Sequence, residues 1–183
     1  MLLNSRSAPA SLQRDEIARR IPHQGSMCLL DRVTAWDSSQ ISCEASSHRA
    51  ESNPLRAYGR LGASCGVEYA AQAMAVHGAL VAEARSDADK TSHAPKTGYL
   101  ASIRGLTLHV ERLDDINEIL GIRAERLSGD DHTILYSFSL HAGPALLLSG
   151  RAVVILDAAA LTATGYTKSA GRTGDSLASR PSS

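Results

Sequence analysis

The sequence predicts an α+β fold in which one long helix is wrapped by a curved antiparallel sheet. Two observations carry this prediction. Residues 64–85 repeat small apolar side chains at helical spacing, with Val67, Ala70, Ala71, Met74, Gly78 and Val81 recurring along one face. Beyond residue 98 the pattern changes to alternation and β-branched runs over 98–113, 117–127, 132–141 and 145–156. Asp114-Asp115, Gly129-Asp130 and Ala142-Gly143-Pro144 separate those segments, and loops that short join antiparallel neighbours. A helix laid on one face of such a sheet buries the apolar side of both.

The other elements follow in order. Residues 1–10 read as a flexible arm. Ser11 can cap a short helix with Asp15 and Glu16 in its first turn, where the helix dipole favours acid. Pro22 ends that helix by pushing Ile21 out of the α region. Residues 28–36 and 40–47 are strand candidates on either side of the turn Asp37-Ser38-Ser39. Residues 48–60, with Asn53-Pro54 and Gly59, read as a loop, and 87–96 as another. Ala, Thr, Ser, Gly and Arg dominate the end of the chain, so 158–183 read as a disordered tail. The domain then spans 11–157. Its order of short helix, two strands, long helix and about four strands is that of the hot-dog fold.

Composition narrows the function. The 183 residues carry 19 Lys+Arg against 19 Asp+Glu, and binding to nucleic acid depends on phosphate neutralisation. Aromatics are only 4 %, too few for a base-stacking platform. No run approaches the ~20 apolar residues of a spanning helix, and the first residues do not read as a signal peptide. Cys28, Cys43 and Cys65 have no CxxC spacing, which suggests reduced thiols and a cytoplasmic protein.

A family resemblance then becomes specific. Pro22-His23-Gln24-Gly25-Ser26-Met27-Cys28-Leu29-Leu30-Asp31-Arg32-Val33 resembles the PHxxxxLLDRV-like segment of FabA/FabZ-type 3-hydroxyacyl-ACP dehydratases. Gly66-Val67-Glu68-Tyr69-Ala70-Ala71-Gln72-Ala73-Met74-Ala75 is similar to their central helix, where an acidic residue precedes AMAQ. Gly98-Tyr99-Leu100-Ala101-Ser102-Ile103 looks like the start of their third strand. Within the family the chain resembles the ApeP-like dehydratases associated with aryl polyene biosynthesis. The resemblance implies elimination of water from a 3-hydroxyacyl thioester to give a trans-2-enoyl thioester, with an acyl carrier protein as the partner that holds the chain. It also implies a homodimer or trimer of dimers, or a heteromer with another hot-dog subunit, whose acyl tunnel lies at the interface.

One departure matters. The usual dehydratases place a catalytic histidine in a GHFPG segment, fourteen residues before the acid. Here that position is Pro54, and 53–60 hold no histidine. The ApeP-like proteins lack GHFPG too, and the resemblance makes His23 and Glu68 the implied catalytic pair. Dehydration needs a base for the C2 proton and an acid for the departing hydroxyl, and imidazole is substantially neutral and basic at pH 7. The start of a helix favours a carboxylate anion, whereas burial of Glu68 in an acyl tunnel would keep it a proton donor. Amides near Gly62, Ala63 and Gly66 could hold the thioester oxygen. Gln72, one turn beyond Glu68, is the further substrate-site candidate and could orient that carboxylate. No metal or organic cofactor is required.

Plainer readings stand beside these. Glu68 could instead pair with Arg60 or Arg104, and Asp31 and Arg32 read as ion-pair or turn residues. His77, His109, His132 and His141 fall in helix or strand patterns and read as structural, with His48 and His93 at the loop surface. Gly62-Ala63-Ser64-Cys65-Gly66 matches the G-x-S-x-G nucleophile elbow, but no buried strand precedes it, so Ser64 reads as the N-cap of the long helix. Two other functions stay open: an acyl-thioester hydrolase, and a non-catalytic hot-dog subunit that partners an active dehydratase.

Overall fold

A computed structural model describes residues 11–89, 98–130 and 132–156. The arm, the tail and most of the loop expected over 87–96 lie outside the described residues. The elements are β1 (Leu12–Gln13), α1 (Arg14–Ala18), β2 (Arg32–Trp36), β3 (Gln40–Ala45), α2 (Gly66–Asp89), β4 (Tyr99–Leu108), β5 (Leu120–Gly129), β6 (Thr133–Ala142) and β7 (Ala145–Ile155). All seven strands form one antiparallel sheet in the order β1-β2-β3-β5-β6-β7-β4, with α2 packed on β3, β5 and β6. This is the hot-dog arrangement.

Alternation explains the sheet's inner face. Ile41, Cys43 and Ala45 on β3, Leu120, Ile122 and Ala124 on β5, and Ile134, Tyr136, Phe138 and Leu140 on β6 are buried. Removing a side chain of this size from water contributes roughly 1.5–3 kcal/mol. Helix α2 meets this face closely at its start. A Cβ on Gly66 would lie 2.3 Å from Leu148 Cδ2 and 2.9 Å from Leu140 Cδ2.

Several expectations are corrected. Ser11 does not cap α1; Leu12 and Gln13 pair with β2, and Glu16 accepts the Gln13 amide at 2.9 Å instead. The first long strand begins at Arg32 rather than Cys28, because Gly25–Met27 form a 3-10 turn and the Leu29 amide is taken by a side chain of α2. Ser64 is not the N-cap of the long helix: Ala63–Cys65 form a 3-10 turn whose N-cap is Gly62. The deepest stripe of α2 runs through Tyr69, Ala70, Ala73, Val76, His77 and Leu80, while Val67, Ala71, Gly78 and Val81 are half-buried. Tyr69 and His77 join the core because their polar atoms are bonded there. His48 is fully buried, not on the surface, with Nε2 bonded to the Ile116 carbonyl at 3.1 Å. Strand β4 lies at the far edge beside β7, with Tyr99, Leu100, Leu106 and Leu108 exposed.

Candidate active site

His23 lies in the connection between α1 and the 3-10 turn at Gly25–Met27. Both flanks of the segment are tied down. Buried Ile21 anchors one side, and the Gln24 side-chain amide donates to the carbonyls of Ala18 (2.7 Å) and Ile21 (3.1 Å). Arg14 reaches the Gly25 carbonyl at 3.3 Å. Asp31 holds the next stretch by accepting from the Ser46 amide and hydroxyl and from Arg14, while Arg32 pairs with Glu44.

Glu68 projects from the first turn of α2, and the two side chains meet directly. His23 Nε2 is 3.1 Å from Glu68 Oε1, with the side chains 29 % and 31 % exposed. Both belong to one chain, and their side chains touch. His23 Nδ1 is buried and has no hydrogen-bond partner among the described residues. Neither Arg60 nor Arg104 pairs with Glu68 among the described residues.

Gln72 holds this corner together. It is fully buried; Nε2 donates to the Met27 carbonyl (2.8 Å) and to Glu68 Oε1 (3.1 Å), and Oε1 accepts the Leu29 amide at 2.9 Å. The Leu29 N–H requires an acceptor, so the amide can be oriented only one way. Gln72 thereby ties Glu68 to the segment that follows His23. The proposed oxyanion amides also need correction. The Ala63 amide donates to the Glu111 carbonyl at 3.0 Å, and the Gly66 amide turns back onto its own 3-10 turn, so neither is free for a thioester oxygen. Gly62, half-buried, is left of the three.

The segment where the usual histidine would stand is structural. Asn53 is buried, donates to the Ser47 carbonyl (2.9 Å) and the Tyr69 hydroxyl (3.0 Å), and accepts the Leu55 amide (2.9 Å). Ser47 donates to the Leu29 carbonyl at 2.7 Å and lies 3.0 Å from the Tyr69 hydroxyl. Burial raises the pKa of Tyr69 and keeps it protonated. Sequence reasoning missed this network, whose signal was a tyrosine directly after Glu68 and an Asx-Pro step in the loop.

Chemically, the corner offers a partly exposed imidazole and carboxyl that can share one proton, held on a buried amide. A family model described as ApeP-like, ApeP dehydratase, matches residues 15–163. The chain is similar in fold to the dehydratase heterocomplex ApeI:P from Xenorhabdus doucetiae, with a TM-score of 0.66 and 20% identity over 84% of this chain and 97% of that one. It is also similar to a thioesterase from Haemophilus influenzae, with a TM-score of 0.54 and 11% identity over 81% of this chain and 92% of that one. No curated protein matches the sequence.

Proposed function

The chain belongs to the ApeP-like dehydratase family, and from that membership we propose that His23 and Glu68 carry out its elimination of water from 3-hydroxyacyl thioesters as one proton-sharing pair. The supporting observation is the 3.1 Å contact between their side chains in a corner held by buried Gln72. A hydro-lyase of this kind removes a proton from C2 and delivers one to the hydroxyl leaving C3. His23 Nε2 takes the C2 proton while the Glu68 carboxyl gives its proton to the hydroxyl. The C2–H and C3–O bonds break, the C2–C3 double bond forms, water departs, and imidazolium is left beside carboxylate. One transfer back across the same contact restores the starting state.

The thioester arrives on an acyl carrier protein in the cytoplasm, a setting that suits the free thiols. The exposed edge of β4 is where a second hot-dog subunit adds its own strand, which would satisfy the open backbone groups and cover Leu106 and Leu108. The test is mass spectrometry of 3-hydroxyacyl carrier proteins incubated with the full chain. Loss of one water with the carrier still attached supports the reading. Release of the free carrier thiol would instead mean hydrolysis. An unchanged carrier, with the chain alone and with a second hot-dog subunit added, would leave it a non-catalytic member.

A further inference from the structure

We propose that Ser47 is a further positioning residue of the His23–Glu68 pair, holding Leu29 by its carbonyl while Gln72 holds it by its amide. The inference rests on the catalytic reading of that pair given above. Leu29 is fully buried and lies outside every helix and strand. Its N–H donates to Gln72 Oε1 at 2.9 Å, and its carbonyl accepts from the Ser47 hydroxyl at 2.7 Å, so side chains satisfy both of its backbone groups. The N–H that orients the Gln72 amide is therefore placed by Ser47, in the short turn Ser47–Arg49 that follows β3.

The donors and acceptors behind Ser47 leave one arrangement. The Leu55 N–H needs an acceptor, so Asn53 turns Oδ1 toward it at 2.9 Å. Asn53 Nδ2 then donates to the Ser47 carbonyl (2.9 Å) and the Tyr69 hydroxyl (3.0 Å). A carbonyl can only accept, so the Ser47 hydroxyl gives its one proton to Leu29. Between the two hydroxyls, 3.0 Å apart, Tyr69 is the donor. Burial raises the pKa of Tyr69, which keeps that proton in place. Every bond thus points one way, from Asn53 through Tyr69 and Ser47 to Leu29. Leu29 continues the chain to Gln72, whose Nε2 donates to Glu68 Oε1 at 3.1 Å, the same oxygen that His23 Nε2 meets.

The consequence for the pair follows from the chemistry of an amide. Without the Ser47 proton the buried Leu29 carbonyl has no donor, and the backbone must shift to find one. That shift draws the Leu29 N–H away from Gln72 Oε1. An amide released from that bond can turn its oxygen toward Glu68 and repel the carboxylate instead of donating to it.

The experiment compares the full-length wild type with Ser47→Ala, Gln72→Leu, their double variant and Tyr136→Phe. Two readouts are taken: turnover of a 3-hydroxyacyl carrier protein, and solvent exchange of the Gln72 side-chain amide by NMR, whose signals are those missing from Gln72→Leu. Ser47→Ala should lower kcat by roughly 10–10²-fold, the scale of a misplacement of about 1 Å, with KM for the carrier little changed. Its Gln72 amide should exchange roughly tenfold faster, as a locally loosened group does. In the Gln72→Leu background the same change should cost little further turnover, because the two residues act in series. Tyr136→Phe removes a buried hydroxyl bonded to His77, further along α2, and should leave kcat as in wild type even where it lowers Tm. An unchanged exchange rate in Ser47→Ala overturns the clamp. An equal loss of kcat in both backgrounds, or a matching loss in Tyr136→Phe, overturns positioning and makes Ser47 a support of the fold alone. A wild type that leaves the carrier unchanged overturns the function reading instead, and the exchange comparison still decides for or against the clamp.

Discussion

Replacing Gln72 by Leu tests the support of the site more sharply than replacing either His23 or Glu68. The buried amide makes three hydrogen bonds, to the Met27 carbonyl, the Leu29 amide and Glu68. Leucine fills similar space and makes none of them. The Leu29 amide lies within a fully buried stretch, and an unpaired buried donor costs about 1–3 kcal/mol. The lost bond to Met27 adds about 1 kcal/mol, for a total of roughly 2–4 kcal/mol. In a domain of this size each kcal/mol lowers Tm by about 2–4 °C, so calorimetry should show a fall of roughly 4–16 °C. Glu68 also loses an N–H donor and the His23 segment its tie, so kcat should fall while KM for the thioester changes little. A Tm within about 1 °C of wild type would refute the energetic argument. An unchanged kcat in a destabilised variant would show that Gln72 holds the fold without positioning the pair.

Two further outcomes follow from the packing. His77 donates Nε2–H to the Asp37 carbonyl and accepts the Tyr136 hydroxyl at Nδ1, each at 2.8 Å, and burial pushes its pKa below the ordinary value. Its unfolded form therefore binds a proton first, so stability should be full above about pH 6.5 and fall as the pH drops below it. Urea midpoints should show this slope, and His77→Gln should flatten it; an unaltered slope would assign the effect elsewhere. Gly66→Ala sets a Cβ 2.3 Å from Leu148 Cδ2 in a closed core. It should destabilise by about 1–2 kcal/mol despite the better helix propensity of alanine; a more stable variant in urea unfolding would show that both leucines move aside freely.

Much of this was legible in the sequence wherever the signal was local. Alternation marked β5, β6 and β7, apolar spacing marked α2, and the segments around His23 and Glu68 pointed to the two side chains that meet. What stayed hidden depends on partners far along the chain. The spacing of Gln72 from Glu68 was legible, but its bonds to Met27 and Leu29 were not, and His48 reads as a loop residue until the Ile116 carbonyl accepts from it. Spacing shows which positions share a face, but a buried polar group is stable only where a partner waits, and that partner is set by tertiary structure. The amides of Ala63 and Gly66 failed as oxyanion donors for the same reason, since other backbone groups already hold them.

The central claim is that His23 and Glu68 act as a single proton-sharing unit, and turnover of a 3-hydroxyacyl carrier protein by His23→Ala, Glu68→Gln and the double variant tests it most directly. Each single change should lower kcat by roughly 10²–10⁴-fold, the usual contribution of a positioned acid or base. The double variant should be no slower than the worse single one, because residues that work as a unit are not additive. Retained activity in either single variant, or losses that multiply in the double variant, would contradict the shared-proton account.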